Sequence, residues 1–130
     1  MKLNQVTLPA TDLERSIAFY ETLGFRLIVL HGPYARLETP DGETTLSLHV
    51  VEGWAGEGPH LYFECDDLDA RVKELKARGI VFDSDPVDQR WLWREAWFTD
   101  PAGVKLCLYH AGENRRFPPW RLPADATSAP

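Results

Sequence analysis

The chain has 130 residues, of which 44% are hydrophobic and 26% charged, and its formal net charge is -6. That length suits one domain with a proper core. The acidic balance argues against a nucleic-acid surface, whose phosphates demand clustered Lys and Arg, and no apolar run is long enough to span a bilayer.

The first nine residues, MKLNQVTLP, lack the apolar stretch of a signal peptide. Cys65 and Cys107 are too few for a disulfide framework, so a reduced, cytoplasmic setting is expected. Five tryptophans and four tyrosines are many for this length and need a place.

Residues 2–8 read as the first strand, with Val6 and Leu8 alternating against Gln5 and Thr7. A helix follows over about 12–23, with Leu13, Ile17 and Tyr20 on one face. Thr11 and Glu14 have the spacing of a capping box. Residues 25–30 are β-prone, 31–33 form a turn and 34–37 a short strand. The TPDG at 39–42 is a hairpin turn. Residues 44–51 then alternate, with Leu46, Leu48 and Val50 opposite Thr45, Ser47 and His49. Glycine-rich residues 51–59 link this half to the next.

Residues 60–65 open the second half, with Leu61, Phe63 and Cys65 on one face and His60, Tyr62 and Glu64 on the other. A helix over about 67–78 carries Leu68, Val72 and Leu75, and Asp66 with Asp69 offers an acidic capping box. Residues 80–82 read as a strand and 84–88 as loop. Residues 91–98 hold another strand, with Glu95, Trp97 and Thr99 facing one way; Trp91 and Trp93 share that parity if the strand is regular so far back. The DPAG at 100–103 is a turn, and 105–109 the last strand, with Leu106 and Leu108 opposite Cys107 and Tyr109. A tail rich in arginine and aromatics runs to Arg121. From Leu122 the chain reads as a flexible end.

The two halves repeat. At an offset of 55, Asp12 meets Asp67, Leu13 meets Leu68, Ile17 meets Val72, Tyr20 meets Leu75 and Gly24 meets Gly79. A repeat of this kind dictates architecture: an α+β domain over 1–121, with one βαβββ module at about 1–52, a second at about 60–110 and a tail at 111–121. Gly24 and Gly79 stand where a left-handed residue would stop each helix. The helices cover the apolar strand faces. The opposite faces, which carry Gln5, Thr7, Ser47, His49, His60, Tyr62, Glu64, Glu95, Trp97, Cys107 and Tyr109, would line a concave cup.

The runs DLERSIAFY at 12–20, LGF at 23–25, DDLDA at 66–70 and DPAG at 100–103 resemble the vicinal oxygen chelate superfamily. That group includes glyoxalase I, the fosfomycin- and bleomycin-resistance proteins and the extradiol dioxygenases. The resemblance implies paired βαβββ modules curved around a central cup, and a homodimer. It also implies four metal-ligand positions, which fall here on Gln5, Ser47, His60 and Cys107. Only His60 matches the His and Glu ligands of the metal-dependent members, and a hard cation needs carboxylates and imidazoles. The expectation is therefore no cofactor and no Mg, Mn or Fe.

Other site chemistries remain open on the same residues. His60 and Cys107, with His49 or Glu95, would make a softer zinc site, or His60 would activate Cys107 as a nucleophile. Glu64 and Glu95, if desolvated among aromatics, would serve as acid/base groups; otherwise they are solvated or paired with Arg36 or Arg94. Cys65 reads as core, and His31 and His110 as surface. The aromatic set suits a small aromatic or amphipathic molecule, held by Thr7, Arg36, Ser47, His49, Tyr62, Trp97 and Tyr109. Two functions follow: a metal-free small-molecule binding protein of the bleomycin-resistance type, or an enzyme of the same superfamily, whether lyase, isomerase, dioxygenase or metal-free acid/base catalyst.

Overall fold

The computed structural model describes residues 1–54 and 57–124, so the end expected to be flexible lies, from 125 on, outside the described residues. The elements run β1 (Gln5–Ala10), α1 (Leu13–Thr22), β2 (Arg26–His31), β3 (Tyr34–Glu38), β4 (Thr45–Val50), β5 (Leu61–Glu64), α2 (Leu68–Ala77), β6 (Val87–Asp88), β7 (Arg94–Thr99) and β8 (Lys105–His110). A short 3₁₀ turn follows at Gly112–Asn114. They form two four-stranded sheets of matching order, β1-β4-β3-β2 and β5-β8-β7-β6. In each, the first strand runs parallel to the last and the others are antiparallel. The repeat in the sequence is thus a repeat of βαβββ modules.

The helix ends match between modules almost atom for atom. Asp12 and Asp67 are the N-caps, accepting from the backbone N–H of Arg15 and Ala70. The caps sit one residue beyond the expected Thr11 and Asp66, and a carboxylate there also favours the positive end of the helix dipole. At the other end Gly24 and Gly79 have φ of 99° and 96°. Their N–H groups donate to Glu21 and Lys76, while Phe25 and Ile80 donate back to Tyr20 and Leu75. This double closure needs a left-handed residue, which glycine adopts without steric cost.

One core serves both modules. Leu8, Tyr20, Leu37, Leu46 and Leu48 of the first half pack in the same cluster as Leu68, Leu75, Phe98 and Leu106 of the second. Phe19 meets Phe98 at 6.1 Å between centroids and Phe25 meets Phe63 edge-on at 5.8 Å. The polar link is buried: the Tyr20 hydroxyl donates to Asp100 Oδ2 at 2.7 Å. Asp100 Oδ1 accepts from the N–H groups of Ala102 and Val104, both at 2.9 Å. Asp100 thus fixes its own turn and ties it to α1 of the other module.

The second module departs from the repeat between its helix and β7. The strand expected at 80–82 is a single bridge, Phe82 to Phe98, and residues 84–88, expected as loop, contain β6. Asp83, Asp85 and Pro86 break the run: charged side chains stay in water, as in the Lys76–Asp85 pair at 2.6 Å, and proline removes a ladder donor. The strand expected from Trp91 begins at Arg94. Residues 90–92 form a turn in which Leu92 has φ of 69°.

Candidate functional site

Strand alternation puts one row of side chains from three strands side by side on the polar face of module two. Tyr62 on β5 pairs with Cys107 on β8, which pairs with Trp97 on β7; in the next row Glu64, Tyr109 and Glu95 align in the same way. This face carries its own hydrophobic cluster of Cys107, Tyr109 and Ala111, against which Trp93 and Trp97 pack. Trp93 stacks on Tyr109 at 4.5 Å and 15°. Tyr62 stands edge-on to Trp93, Trp97 and Tyr109, at 87°, 79° and 85°.

Glu95 lies at the centre of these rings and is only 4% exposed. A buried carboxylate must be hydrogen-bonded, and here the donors are indoles. Trp91 Nε1 donates to Oε2 at 2.8 Å and Trp97 Nε1 to Oε1 at 3.0 Å. Trp91 reaches it from the turn, outside the strand whose regularity the parity argument required. Arg94, considered as a partner for Glu95, instead pairs with Asp69 and Asp88.

Burial pushes the Cys107 thiol up to about 12, with the Glu95 charge adding to the rise. The thiol is fully buried and donates weakly to the Leu108 carbonyl at 3.5 Å. A nucleophilic cysteine needs the opposite environment. His60 does not supply it: its ring sits edge-on to Trp97 at 5.4 Å. Among the described residues no group of three or more His, Cys, Asp or Glu side chains is placed to hold a metal ion. The four family ligand positions do not fit a hard cation either. Gln5 Oε1 accepts from Thr45 Oγ1 at 2.6 Å, and the Ser47 hydroxyl, in a fully buried residue, is bonded to that of Tyr34.

Module one gathers a separate group. Thr7, Ser47 and Arg36 share a row, and Pro9, His49 and Tyr34 the next. Arg36 Nε donates to the Tyr34 hydroxyl at 2.9 Å. The bonds to Ser47 and Arg36 hold the Tyr34 phenol below its ordinary value. Glu64 in module two is not a pair for Arg36; its Oε2 accepts from the N–H groups of Ala111 and Gly112, both at 2.8 Å. The carboxylate thus anchors the start of the tail. Trp93 Nε1 donates to the Asn114 carbonyl at 3.3 Å further along it. Beyond, the Phe117 ring lies under Arg116 and Arg121.

Some of the face residues line two cavities that share Tyr62. One, of about 800 Å³, runs along the seam between modules and brings together Gln5, His60, Tyr62 and Glu64 with aliphatic and aromatic side chains such as Val6, Phe25 and Leu108. The other, of about 400 Å³, is walled by Tyr62, Trp91, Trp93 and Trp97 around Glu95. Thr7, Arg36, Ser47, His49, Cys107 and Tyr109 border neither. Trp91 was legible in the sequence only through the alternation Trp91, Trp93, Glu95, Trp97. Tyr34 gave no signal as a polar anchor.

Known proteins match this chain along most of its length. A protein of Mycolicibacterium smegmatis is 33% identical over 114 residues, covering 83% of this chain and 92% of the relative. The crystal structure of a glyoxalase/bleomycin resistance protein/dioxygenase from Nocardioides has a TM-score of 0.76 at 27% identity, covering 95% of this chain and 90% of that one. A bleomycin-binding protein complexed with bleomycin has a TM-score of 0.70 at 25% identity, with 85% and 98% covered. The model of the glyoxalase/bleomycin resistance protein/dioxygenase superfamily matches residues 2–108. With its paired βαβββ modules, the chain belongs to that superfamily.

Proposed function

We propose that this protein binds a small aromatic or amphipathic molecule on the polar face of module two, without a catalytic metal. The observation that carries the reading is the cavity of about 400 Å³ between Tyr62, Trp91, Trp93 and Trp97. Its size falls within the range of small-molecule sites, and its walls suit a flat apolar group. The committed hydrogen bonds of Gln5 and Ser47 and the high thiol pKa of Cys107 support the absence of metal chemistry. The structural likeness to a protein complexed with bleomycin supports ligand binding on this fold. Its setting is the cytoplasm; among the described residues no helix is long and apolar enough to cross a membrane.

The protein works as a homodimer. Strands β1 and β5 are sheet edges, and unpaired edges are covered in stable proteins. Light scattering at micromolar concentration should give twice the mass of one chain.

A small-molecule screen followed by intrinsic tryptophan fluorescence tests the binding reading. A hit should quench or shift emission, and Trp97→Ala should weaken it by tenfold or more, given about 1–3 kcal/mol for burying and stacking one indole. Trp120, 56% exposed in the tail, should matter less. Equal binding by Trp97→Ala would make the aromatic wall structural. Elemental analysis of the purified protein addresses the metal: stoichiometric iron, manganese or zinc, lost on His60→Ala, would overturn that half of the reading.

A further inference from the structure

We propose that the cavity around Glu95 is an organic-cation site, taking a quaternary or alkylated ammonium group against the carboxylate. This deepens the binding reading above and rests on it.

The first observation is a charge without a counter-charge. Glu95 is 4% exposed, and among the described residues no Lys, Arg or His forms an ion pair with it. Its two partners are the neutral N–H groups of Trp91 and Trp97. Neutral donors satisfy the lone pairs but leave the charge uncompensated, which a buried site tolerates poorly. The nearest arginine in sequence, Arg94, is turned to Asp69 and Asp88 on the other side of the strand.

The second observation is the form of the walls. Tyr62 stands close to perpendicular to both Trp93 and Trp97, with centroids at 5.9 and 5.4 Å, and all three rings border the cavity beside the carboxylate. The face of an aromatic ring is negative, and a cation held against several faces is attracted by each. An indole that donates its N–H to a carboxylate is polarised further in the same direction. Tyr62, 45% exposed, stands at the mouth.

The chemistry selects among cations. A metal ion would need several oxygen or nitrogen ligands, and the cavity has one carboxylate whose oxygens both already accept. A guanidinium or primary ammonium would want several acceptors for its donors. An alkylated ammonium has diffuse charge and few or no N–H groups, so it needs only the faces and the nearby carboxylate.

The test compares phenyltrimethylammonium with its neutral isostere tert-butylbenzene, by tryptophan fluorescence and calorimetry on the full chain. The cation should bind the parent protein at least about tenfold more tightly. Glu95→Gln, which keeps the side-chain volume, should reduce that preference by about tenfold or more. Trp97→Phe, which keeps a ring and loses the N–H, should retain part of it. Affinities within twofold of each other on the parent would overturn the cation site while leaving the apolar cavity in place. A preference unchanged in a folded Glu95→Gln would also overturn it. Binding of neither probe would overturn the cation site, and a screen in which no compound responds to Trp97→Ala would remove the binding reading beneath it.

Discussion

Removing one oxygen from the junction between the modules should cost the protein a measurable share of its stability. In Tyr20→Phe the ring keeps its contacts with Phe19 at 5.3 Å and Phe25 at 5.5 Å, so almost no cavity opens. What disappears is the 2.7 Å hydrogen bond to Asp100. Asp100 is 4% exposed and, among the described residues, keeps only its two backbone donors, both on Oδ1. Oδ2 is left buried and unpaired. A hydrogen bond to a carboxylate contributes about 1.5–3 kcal/mol, and the stranded acceptor puts the loss toward the middle or upper part of that range. A loss of about 2 kcal/mol should lower the urea midpoint by roughly 1 M with m unchanged. A double-mutant cycle with Asp100→Asn isolates the pair, and its coupling should exceed about 1 kcal/mol. Single-mutant loss below about 0.5 kcal/mol, or an additive cycle, would refute the assignment of this bond as the polar tie between modules.

The helix stops give a matched pair. Gly79→Ala, where a Cβ meets open space at φ of 96°, should cost only the left-handed penalty, about 1–2 kcal/mol by denaturant melts. Gly24→Ala should cost a similar amount, because at φ of 99° its Cβ would make only an ordinary contact with Pro40 at 3.4 Å. Burial pushes the Cys107 thiol from an ordinary 9.0 up to about 12. A raised folded value means its contribution is whole below about pH 9 and is lost as pH rises toward 12, so the stability of the parent relative to Cys107→Ala should fall progressively from about pH 9 upward, toward pH 12. Thiol reagents should modify native Cys107 far more slowly than the unfolded chain. Arg94→Ala breaks exposed pairs with Asp69 and Asp88; the loss should stay within about 1 kcal/mol and shrink in high salt.

What the sequence determined by itself was the paired-module plan. The 55-residue offset, the apolar helix positions and the two glycines follow from local rules: helical period, strand alternation and the φ that only glycine takes freely. Those rules act within a few residues, so they survive in one dimension and led to paired modules and to the faces on which Tyr62, Glu95, Trp97 and Cys107 lie. Tertiary structure decided which of those faces do something. Sequence alternation cannot say that Trp91 turns from outside the strand onto Glu95, that Glu64 spends its oxygen on the tail, or that the His60 ring packs edge-on against Trp97. Each is a choice among partners far apart in the chain, settled by burial and hydrogen-bond geometry. Asp100 shows the division most plainly. Its place in the DPAG turn is local, whereas its bond to Tyr20 spans 80 residues and exists because the two helices and two sheets share one core.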